Sequence, residues 1–282
     1  MKILITGSSG LIGSKLVSLL KAERHKVICY KRTAKQSTIE EGLDAVVHLA
    51  GEPITGRWTA KKKARIRESR LGGTRQLCES LAKLKRPPRV LVSASAIGYY
   101  GDRGTEPLNE DNPPGVGFLA DVCRGWEAAT LPAVEAGIRV VNLRLGVVLS
   151  RDGGAFAKML WPFRMGIGGI VGNGRQFWSW VAIEDVIGAI QHALNTERVR
   201  GPMNVVSPNA VTNREFTKTL GRVLGRPTVL PMPAVMARVI FGEMAKALLL
   251  GSTRVQPTRL EGSGYRFRFP DLEATLRHLV LK

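Results

Sequence analysis

The residues with the clearest chemical meaning stand at the start of the chain, where three glycines at three-residue spacing follow an apolar run at residues 3–5. Leucines at helical spacing come next, so the order predicts a strand, a glycine turn and a helix. Glycines let the backbone approach a pyrophosphate closely, and a helix N-terminus offers it free N–H groups. An ordinary glycine turn is the alternative, but the position between a strand and a helix favours nucleotide binding. The predicted pyrophosphate-binding residues are Gly7, Ser8, Ser9, Gly10, Leu11, Ile12 and Gly13.

Two cations follow the second predicted strand, Lys26–Tyr30. Dinucleotide-binding folds that prefer NAD place an acid at this point to bind the ribose hydroxyls. This chain has Lys31 and Arg32 there, with no acid between Glu23 and Glu40. Two cations suit a 2′-phosphate, so we predict NADP(H) as the cofactor. The alternative is a pair of solvated charges in a turn.

Strand and helix patterns alternate further along the chain. Strands are predicted over 44–50, 89–93 and 139–149, and helices over 58–84, 118–137, 181–194, 213–224 and 234–250. Alternation of this kind predicts an α/β fold with a Rossmann-type doubly wound parallel sheet and a smaller C-terminal substrate lobe. We expect residues 1–150 to form the NADP(H)-binding domain, with a returning segment near 181–210. Residues 151–282 form the smaller lobe in this prediction, interleaved with the first domain.

The composition restricts the classes of partner and compartment. The formal net charge of +19 favours anionic partners, including an anionic small-molecule substrate. The three cysteines are far apart, which predicts neither a disulfide framework nor a metal site. No apolar run is long enough to span a membrane, and the N-terminus enters the first strand directly. The sequence therefore predicts a cytoplasmic protein.

Several motifs together resemble one known family. The stretches GSSGLIG, HLAG, VSASAIGYYGD and RLGVVL are similar to those of the extended short-chain dehydrogenase/reductases. RWTAKKKARIRESR, FLADVCRGWEAA, GNGRQFWSWVAIEDV and the C-terminal stretch resemble an atypical epimerase-like subfamily, also labelled cell-division inhibitor, with a characteristic C-terminal domain. The resemblance covers nearly the whole chain and implies an NADP(H)-binding Rossmann domain with a lobe that closes a cleft. Further cofactor contacts expected with it are Leu49, Ala50, Gly51, Glu52, Arg70 and Ser93.

The chain departs from the family where catalysis is expected. Short-chain dehydrogenases use a Tyr-x-x-x-Lys pair, in which the lysine lowers the tyrosine pKa so that the phenol exchanges a proton with the substrate. Alignment on Glu127 places Leu119 at the tyrosine position and Cys123 at the lysine position. Neither side chain can perform that proton transfer, so the sequence argues against the ordinary mechanism.

Other residues near the same strand exit are candidate substitutes. Ser95 keeps the position of the family serine that orients a carbonyl, with Ser93 as a rival in a shifted alignment. Tyr100, assisted by Arg70 or Arg124, is the predicted proton donor. The alternative is a tyrosine packed beneath its loop with its hydroxyl bonded to the backbone.

The segment after the glycine-rich stretch resembles the subfamily signature W-x-W-I-H-x-E-D. Trp178, Trp180, Glu184 and Asp185 match it, but Ala182 replaces the histidine. We expect the two acids to connect the C-terminal lobe to the sheet.

Three function classes remain open on this basis. The first is an NADP(H)-dependent, epimerase-like oxidoreductase of a small molecule with non-standard proton transfer. The second is a non-catalytic NADP(H) sensor that binds a partner protein, which the missing Tyr/Lys pair favours. The third is nucleic-acid binding through the cations of residues 61–70, but the chain has no recognised nucleic-acid motif and we expect no specific nucleic-acid partner. A homodimer is compatible with the first two.

Overall fold

Strands alternate with helices along residues 1–30 and 39–281, which are the residues that this computed structural model describes. Lys31 and Arg32, the predicted 2′-phosphate ligands, lie outside the described residues. The strands are Lys2–Thr6 (β1), Lys26–Tyr30 (β2), Ala45–His48 (β3), Val90–Ala96 (β4), Pro107–Leu108 (β5), Arg139–Leu145 (β6), Val147–Leu149 (β7), Phe177–Trp178 (β8), Trp180–Ala182 (β9), Gly201–Val205 (β10), Val211–Thr212 (β11) and Arg254–Val255 (β12). The helices are Leu11–Ala22 (α1), Ala60–Ala82 (α2), Phe118–Ala128 (α3), Leu131–Glu135 (α4), Gly154–Arg164 (α5), Ile183–Asn195 (α6), Asn213–Leu224 (α7), Ala234–Phe241 (α8), Thr258–Gly262 (α9) and Leu272–Leu281 (α10).

A parallel sheet within the described residues has the strand order β10-β6-β4-β3-β1-β2. Since β2 and β3 lie on opposite sides of β1, the strand order reverses between β1 and β3. Ligands of open α/β sheets bind at the carboxyl ends of the strands beside such a reversal. The predicted α/β fold with a parallel sheet is confirmed.

Alternate residues of the central strands contribute to two different cores. Ile3, Val47 and Val92 belong to the core that contains residues of α1 and α6. Leu4 and Leu91 belong to the opposite core, with residues of α2 and α4. Burial on both faces explains why these strands are almost continuously apolar.

The C-terminal half of the chain has a core of its own. It combines residues of α5, α7 and α10 with Trp178 and Trp180. Asp185, at the start of α6, is fully buried, and its carboxylate accepts hydrogen bonds from the Tyr265 hydroxyl at 2.9 Å and the Arg268 amide at 2.8 Å. Asp185 therefore connects α6 to residues 265–268, whereas the division at residue 150 and the role of the two acids between the lobe and the sheet stay predictions.

Two rows of buried polar side chains cross the sheet near its carboxyl edge, on the face covered by α2 and α3. They interrupt an otherwise apolar surface, and each row follows the strand register. The first row is Thr6, His48, Ser93 and Asn142, and the second is Ser95, Arg144 and Asn204. Because buried polar groups are costly without hydrogen bonds, most of them bond to the helices and loops above, whereas Asn142 Oδ1 has no hydrogen-bond partner among the described residues.

His48, in the first row, hydrogen-bonds to both β1 and α2. Its Nδ1 lies 2.6 Å from Thr6 Oγ1, and its Nε2 lies 2.9 Å from Thr74 Oγ1 in α2. The Trp126 indole of α3 donates to the same Thr74 oxygen at 2.9 Å. Thr6 Oγ1 also accepts a hydrogen bond from the Ala50 amide at 3.3 Å. The network therefore positions the loop that follows β3, where cofactor contacts are expected.

Burial lowers the pKa of His48 to about 4, which makes the stability of the fold depend on pH. The unfolded chain takes up a proton on this histidine near its ordinary pKa of about 6.5, before the folded chain does. The free energy of unfolding of the wild type should therefore fall by about 2 kcal/mol more than that of His48→Asn between about pH 7 and about pH 4.5. Urea unfolding across this range measures the difference. Parallel pH dependences of the two proteins would contradict the assignment.

Candidate active site

The predicted glycine turn connects β1 to α1 and lies against the loop after β3. Gly7 has a φ of +70°, and a Cβ added to it would lie 2.7 Å from the carbonyl carbon of Leu49. A Cβ on Gly13 would collide with the carbonyl oxygen of Gly7. At Gly10 the only described atom within 4 Å of an added Cβ is that same oxygen, at 3.3 Å. There is thus no space for a side chain at Gly7 or Gly13, where the turn packs against the protein, but there is space beside Gly10.

The start of α1 is suited to an anion. Ser14 donates from its amide to the Gly10 carbonyl at 2.9 Å, so the preceding amides of the first turn have no acceptor within the helix. The first turn carries no acidic side chain, and no side chain caps it. The positive end of the helix dipole and its free N–H groups are therefore available to a phosphate.

Arg70 of α2 holds the loop that follows β3. Its Nη1 donates to the Glu52 carbonyl oxygen at 2.9 Å, and its guanidinium lies over the Trp126 ring at 4.9 Å. Burial lowers the pKa of Arg70 from its usual value. The carboxylate of Glu52 accepts from Lys62 at 2.8 Å. Residues 49–52 are thereby fixed between the glycine turn and α2, as the expected cofactor contacts require.

A second segment borders the glycine turn from the side of the C-terminal lobe. A Cβ added to Gly154 would lie 3.0 Å from Leu11 Cδ2, and Lys15 of α1 forms an ion pair with Asp152 at 2.7 Å. The start of α5 therefore packs on the start of α1. Lys158 also donates to Thr55 Oγ1 at 3.5 Å, so α5 lies beside the loop after β3 as well.

A buried ion pair occupies the carboxyl ends of β4 and β6. Arg144 donates from Nε and Nη2 to the two carboxylate oxygens of Glu127 in α3, at 2.8 and 2.9 Å. Ser95 donates from its hydroxyl to the same carboxylate at 2.7 Å. Burial alone would lower the pKa of Arg144, but its bonds to Glu127 raise it above the usual value. Arg144 therefore stays charged, and the Ser95 hydroxyl donates its proton to Glu127.

The predicted role of Tyr100 as a proton donor paired with Arg70 or Arg124 is wrong in its geometry. The Tyr100 side chain is fully buried, its hydroxyl donates to Asn204 Oδ1 at 2.8 Å, and it accepts from Arg144 at 2.9 Å. Burial raises its pKa to about 12. Arg124 is exposed and bonds to Asp121 on its own helix, while Arg70 supports residues 49–52. A phenol enclosed in this way cannot exchange a proton with a ligand.

Leu119 and Cys123 lie on the side of α3 that faces the end of β4. A Cβ added to Gly98 would lie 3.3 Å from Leu119 Cβ and 3.7 Å from Cys123 Sγ. Burial raises the pKa of the Cys123 thiol to about 12. Ser93, the rival to Ser95, is fully buried in the first polar row. Leu119, Cys123 and Ser93 therefore offer no acid or base near neutral pH.

Sequence reasoning missed Arg144, Asn204 and Glu110, whereas Tyr99 and Glu127 were expected near this strand exit. Asn204 Nδ2 donates to the Gln256 carbonyl at 2.9 Å, and its amide donates to Glu110 Oε1 at 2.9 Å. The other oxygen of Glu110 is buried without a hydrogen-bond partner among the described residues, and burial raises the pKa of this carboxyl. The Arg144 guanidinium lies 3.5 Å from the centre of the Tyr99 ring. An arginine within an apolar strand such as β6 indicates that a buried acidic partner exists, but the sequence does not show which residue it is.

The described residues contain no group of three or more His, Cys, Asp or Glu side chains that could hold a metal ion. Likewise, no helix within residues 1–30 and 39–281 combines the length and apolar character needed to cross a bilayer.

Removal of the Glu127 charge should destabilise the protein strongly. Glu127→Gln leaves Arg144 buried without a carboxylate, which we expect to lower the free energy of unfolding by about 3 kcal/mol. The matched control is Asp121→Asn on the same helix, which removes the exposed ion pair with Arg124 and should cost less than about 1 kcal/mol. Urea unfolding of the two variants measures both values. If both variants lost the same small free energy of unfolding, the buried ion pair would be no more important for stability than the exposed one.

Two family profiles match the chain. That of the NAD dependent epimerase/dehydratase family covers residues 3–206, and that of a domain of unknown function, DUF1731, covers residues 232–279. The cattle protein "Epimerase family protein SDR39U1" is 39% identical over 295 residues, which cover 99% of this chain and all of the relative. "Epimerase family protein Mb2239" of Mycobacterium bovis is 40% identical over 281 residues, covering 94% of this chain and 93% of the relative.

Solved structures agree with these matches. The crystal structure of the human epimerase family protein SDR39U1 (isoform 2) with NADPH is similar with a TM-score of 0.94 at 35% identity, and the match covers both chains completely. The nucleoside-diphosphate sugar epimerase of Corynebacterium glutamicum is similar with a TM-score of 0.80 at 35% identity, covering 99% of this chain and 57% of that one. This chain belongs to the NAD dependent epimerase/dehydratase family and carries the DUF1731 domain at its C-terminal end.

Proposed function

We propose that this protein binds NADP(H) at the carboxyl edge of its sheet and acts as an epimerase-like oxidoreductase on a small-molecule substrate. The observation that carries the proposal is the glycine turn, which is closed at Gly7 and Gly13, open at Gly10, and followed by a helix start free of acids. The human relative crystallised with NADPH supports the choice of cofactor. When bound, NADP(H) supplies a nicotinamide that accepts or donates hydride.

The residues present fit a dinucleotide phosphate. The turn from Gly7 to Gly13 would hold the pyrophosphate, and residues 49–52, supported by Arg70, would face the adjacent part of the cofactor. Ser93 lies beneath this edge, fully buried, and would act through the packing rather than by direct contact. Lys31 and Arg32 would bind the 2′-phosphate, an assignment that rests on the sequence because both lie outside the described residues.

The proton chemistry cannot follow the usual Tyr/Lys scheme. We align Leu119 and Cys123 with that pair, and neither is a proton donor near neutral pH. Tyr100 is enclosed, and the Ser95 proton is directed to Glu127. Ser95 is itself buried and therefore serves in this proposal to position Glu127, while solvent water supplies or removes the substrate proton.

A second candidate function is an NADP(H) sensor without catalysis. The observation that favours it is that the protons of Ser95 and Tyr100 are both committed to internal partners. The two candidates share the cofactor site and differ only in whether a substrate is turned over.

Further expectations complete the proposal. The basic net charge of +19 suits an anionic substrate. A cytoplasmic location, the division into residues 1–150 and 151–282, and a homodimer remain predictions from the sequence.

Nucleotide titration tests the proposed cofactor site. NADPH should bind more tightly than NADH, and Lys31→Ala/Arg32→Ala should weaken NADPH by at least about tenfold with little effect on NADH, because two charge-assisted contacts are removed. Lys83→Ala/Lys85→Ala is the matched control, since it removes the same charge from exposed positions at the end of α2. Fluorescence of NADPH provides the signal. If both double variants lost the same NADPH affinity, the effect would come from net charge and not from contacts with the 2′-phosphate. If the wild type bound neither nucleotide, the proposed site would be refuted.

A turnover assay on the same samples separates the two functions. NADPH oxidation with a member of a panel of carbonyl substrates supports the oxidoreductase. Binding without turnover, together with a partner protein that is retained only when NADPH is present, supports the sensor.

A further inference from the structure

Helix α8 turns its large aliphatic residues toward solvent. Val235 and Val239 are each 70% exposed, and Met236 and Ile240 are also exposed. The side chain that α8 buries is the small one of Ala237. These are the second, third, sixth and seventh residues of α8, and residues at this spacing lie on one face of a helix, so the four side chains form a continuous apolar strip. An ordinary surface helix has the opposite arrangement, with its apolar face toward the core.

The strip continues onto neighbouring segments of the C-terminal lobe. Met232 donates from its amide to the Ile170 carbonyl at 2.8 Å, and Gly172 donates to the Met232 carbonyl at 2.9 Å, so residues 166–172 run beside residues 227–232. Both segments carry exposed apolar side chains, as does the adjoining end of α5. We call the α5–α8 face the surface formed by Trp161, Met165, Ile167, Val229, Leu230, Val235, Met236, Val239 and Ile240.

This face holds nine of the thirteen exposed large apolar side chains among the described residues. A concentration of this kind marks an interaction surface, because single exposed apolar residues are ordinary but contiguous groups are not. Trp161, whose amphipathic ring favours a boundary between water and an apolar phase, is 65% exposed.

Cations outnumber acids around the face, although Arg222 is paired with Glu273 of α10. The segments 153–183 and 216–242, which supply all nine apolar residues, contain no aspartate or glutamate. Their cations are Lys158, Arg164, Arg175, Lys218, Arg222, Arg226 and Arg238. Within the described part of the chain, Arg164, Arg226 and Arg238 form no ion pair. Glu243, the acid that follows α8, pairs with Lys63 of α2.

We propose that the α5–α8 face docks on an anionic lipid bilayer surface. Apolar side chains enter the boundary between headgroups and acyl chains, while the surrounding arginines contact lipid phosphates and extend along the surface. Each unpaired cation near such a surface adds to the attraction. A second copy of the chain fits this face poorly, since two faces with an excess of cations would repel each other.

Vesicle sedimentation tests the proposal on the full chain. The probes are phosphatidylcholine vesicles with about 30 mol % phosphatidylglycerol and vesicles of phosphatidylcholine alone. Val235→Asp/Val239→Asp alters the face, and the matched control is Leu131→Asp/Val134→Asp, which makes the same changes at exposed residues of α4. Circular dichroism and NADPH binding verify that both variants are folded.

The wild type should bind the anionic vesicles and not the neutral ones, and part of the binding should persist at about 0.5 M salt because apolar contacts are not screened. Val235→Asp/Val239→Asp should lower the partition coefficient onto anionic vesicles by at least about tenfold. The α4 control should lower it only by the small amount expected from its two added negative charges. Equal losses in the two variants, or binding abolished by salt, would show general electrostatic attraction and overturn the proposal. A dimer of the wild type in solution that the α8 variant converts to a monomer would assign the face to a second copy instead.

Discussion

The carboxyl edge of the sheet contains polar side chains that are buried away from water. Their need for hydrogen-bond partners determines how the helices and loops pack there. Arg144 of β6, the strand between β4 and β10, has the strictest requirement. Its guanidinium is buried, and a buried charge is stable only beside an opposite charge. Glu127 supplies it from α3 and also accepts the Ser95 hydroxyl. Tyr100 and Asn204 complete the arrangement. The position of α3 above the sheet follows from this pairing.

The same constraint acts one row further back. His48 must bond on both ring nitrogens, and it does so with Thr6 and Thr74. The Ala50 amide bonds to the same Thr6 oxygen, so the loop after β3 is fixed by the polar row beneath it. A cofactor site formed by this loop and the glycine turn would thus be pre-formed by the interior of the protein.

The sequence predicted the parts of the fold that depend on local pattern. Strand Lys26–Tyr30 and helix Asn213–Leu224 have the predicted bounds, the latter because Thr212 and Glu215 form a capping box. The helix predicted over 118–137 is instead two helices, since Pro132 starts the second one. The helix predicted over 234–250 ends at Phe241, because Gly242 has a φ of +62°.

The candidate site could be predicted only where a short sequence motif determines the local backbone geometry. The glycine spacing is such a motif, whereas the absence of the Tyr/Lys pair stays a prediction from the sequence. Tyr100 was assigned the wrong partners because its hydroxyl bonds to Asn204, which lies 104 residues away in sequence. Contacts over such separations depend on strand order and register, which no local pattern contains. The outward-facing strip of α8 was also hidden, because apolar spacing does not show which side of a helix faces the core.

Hydrogen–deuterium exchange with and without NADPH tests the central claim most directly, because it reports which backbone amides the nucleotide contacts. We predict that NADPH slows exchange in two places, the peptide that contains Gly7 to Gly13 and the peptide that contains residues 49–52. Unchanged exchange at both, or slowing confined to the cationic surface of α2, would contradict a nucleotide site at the glycine turn.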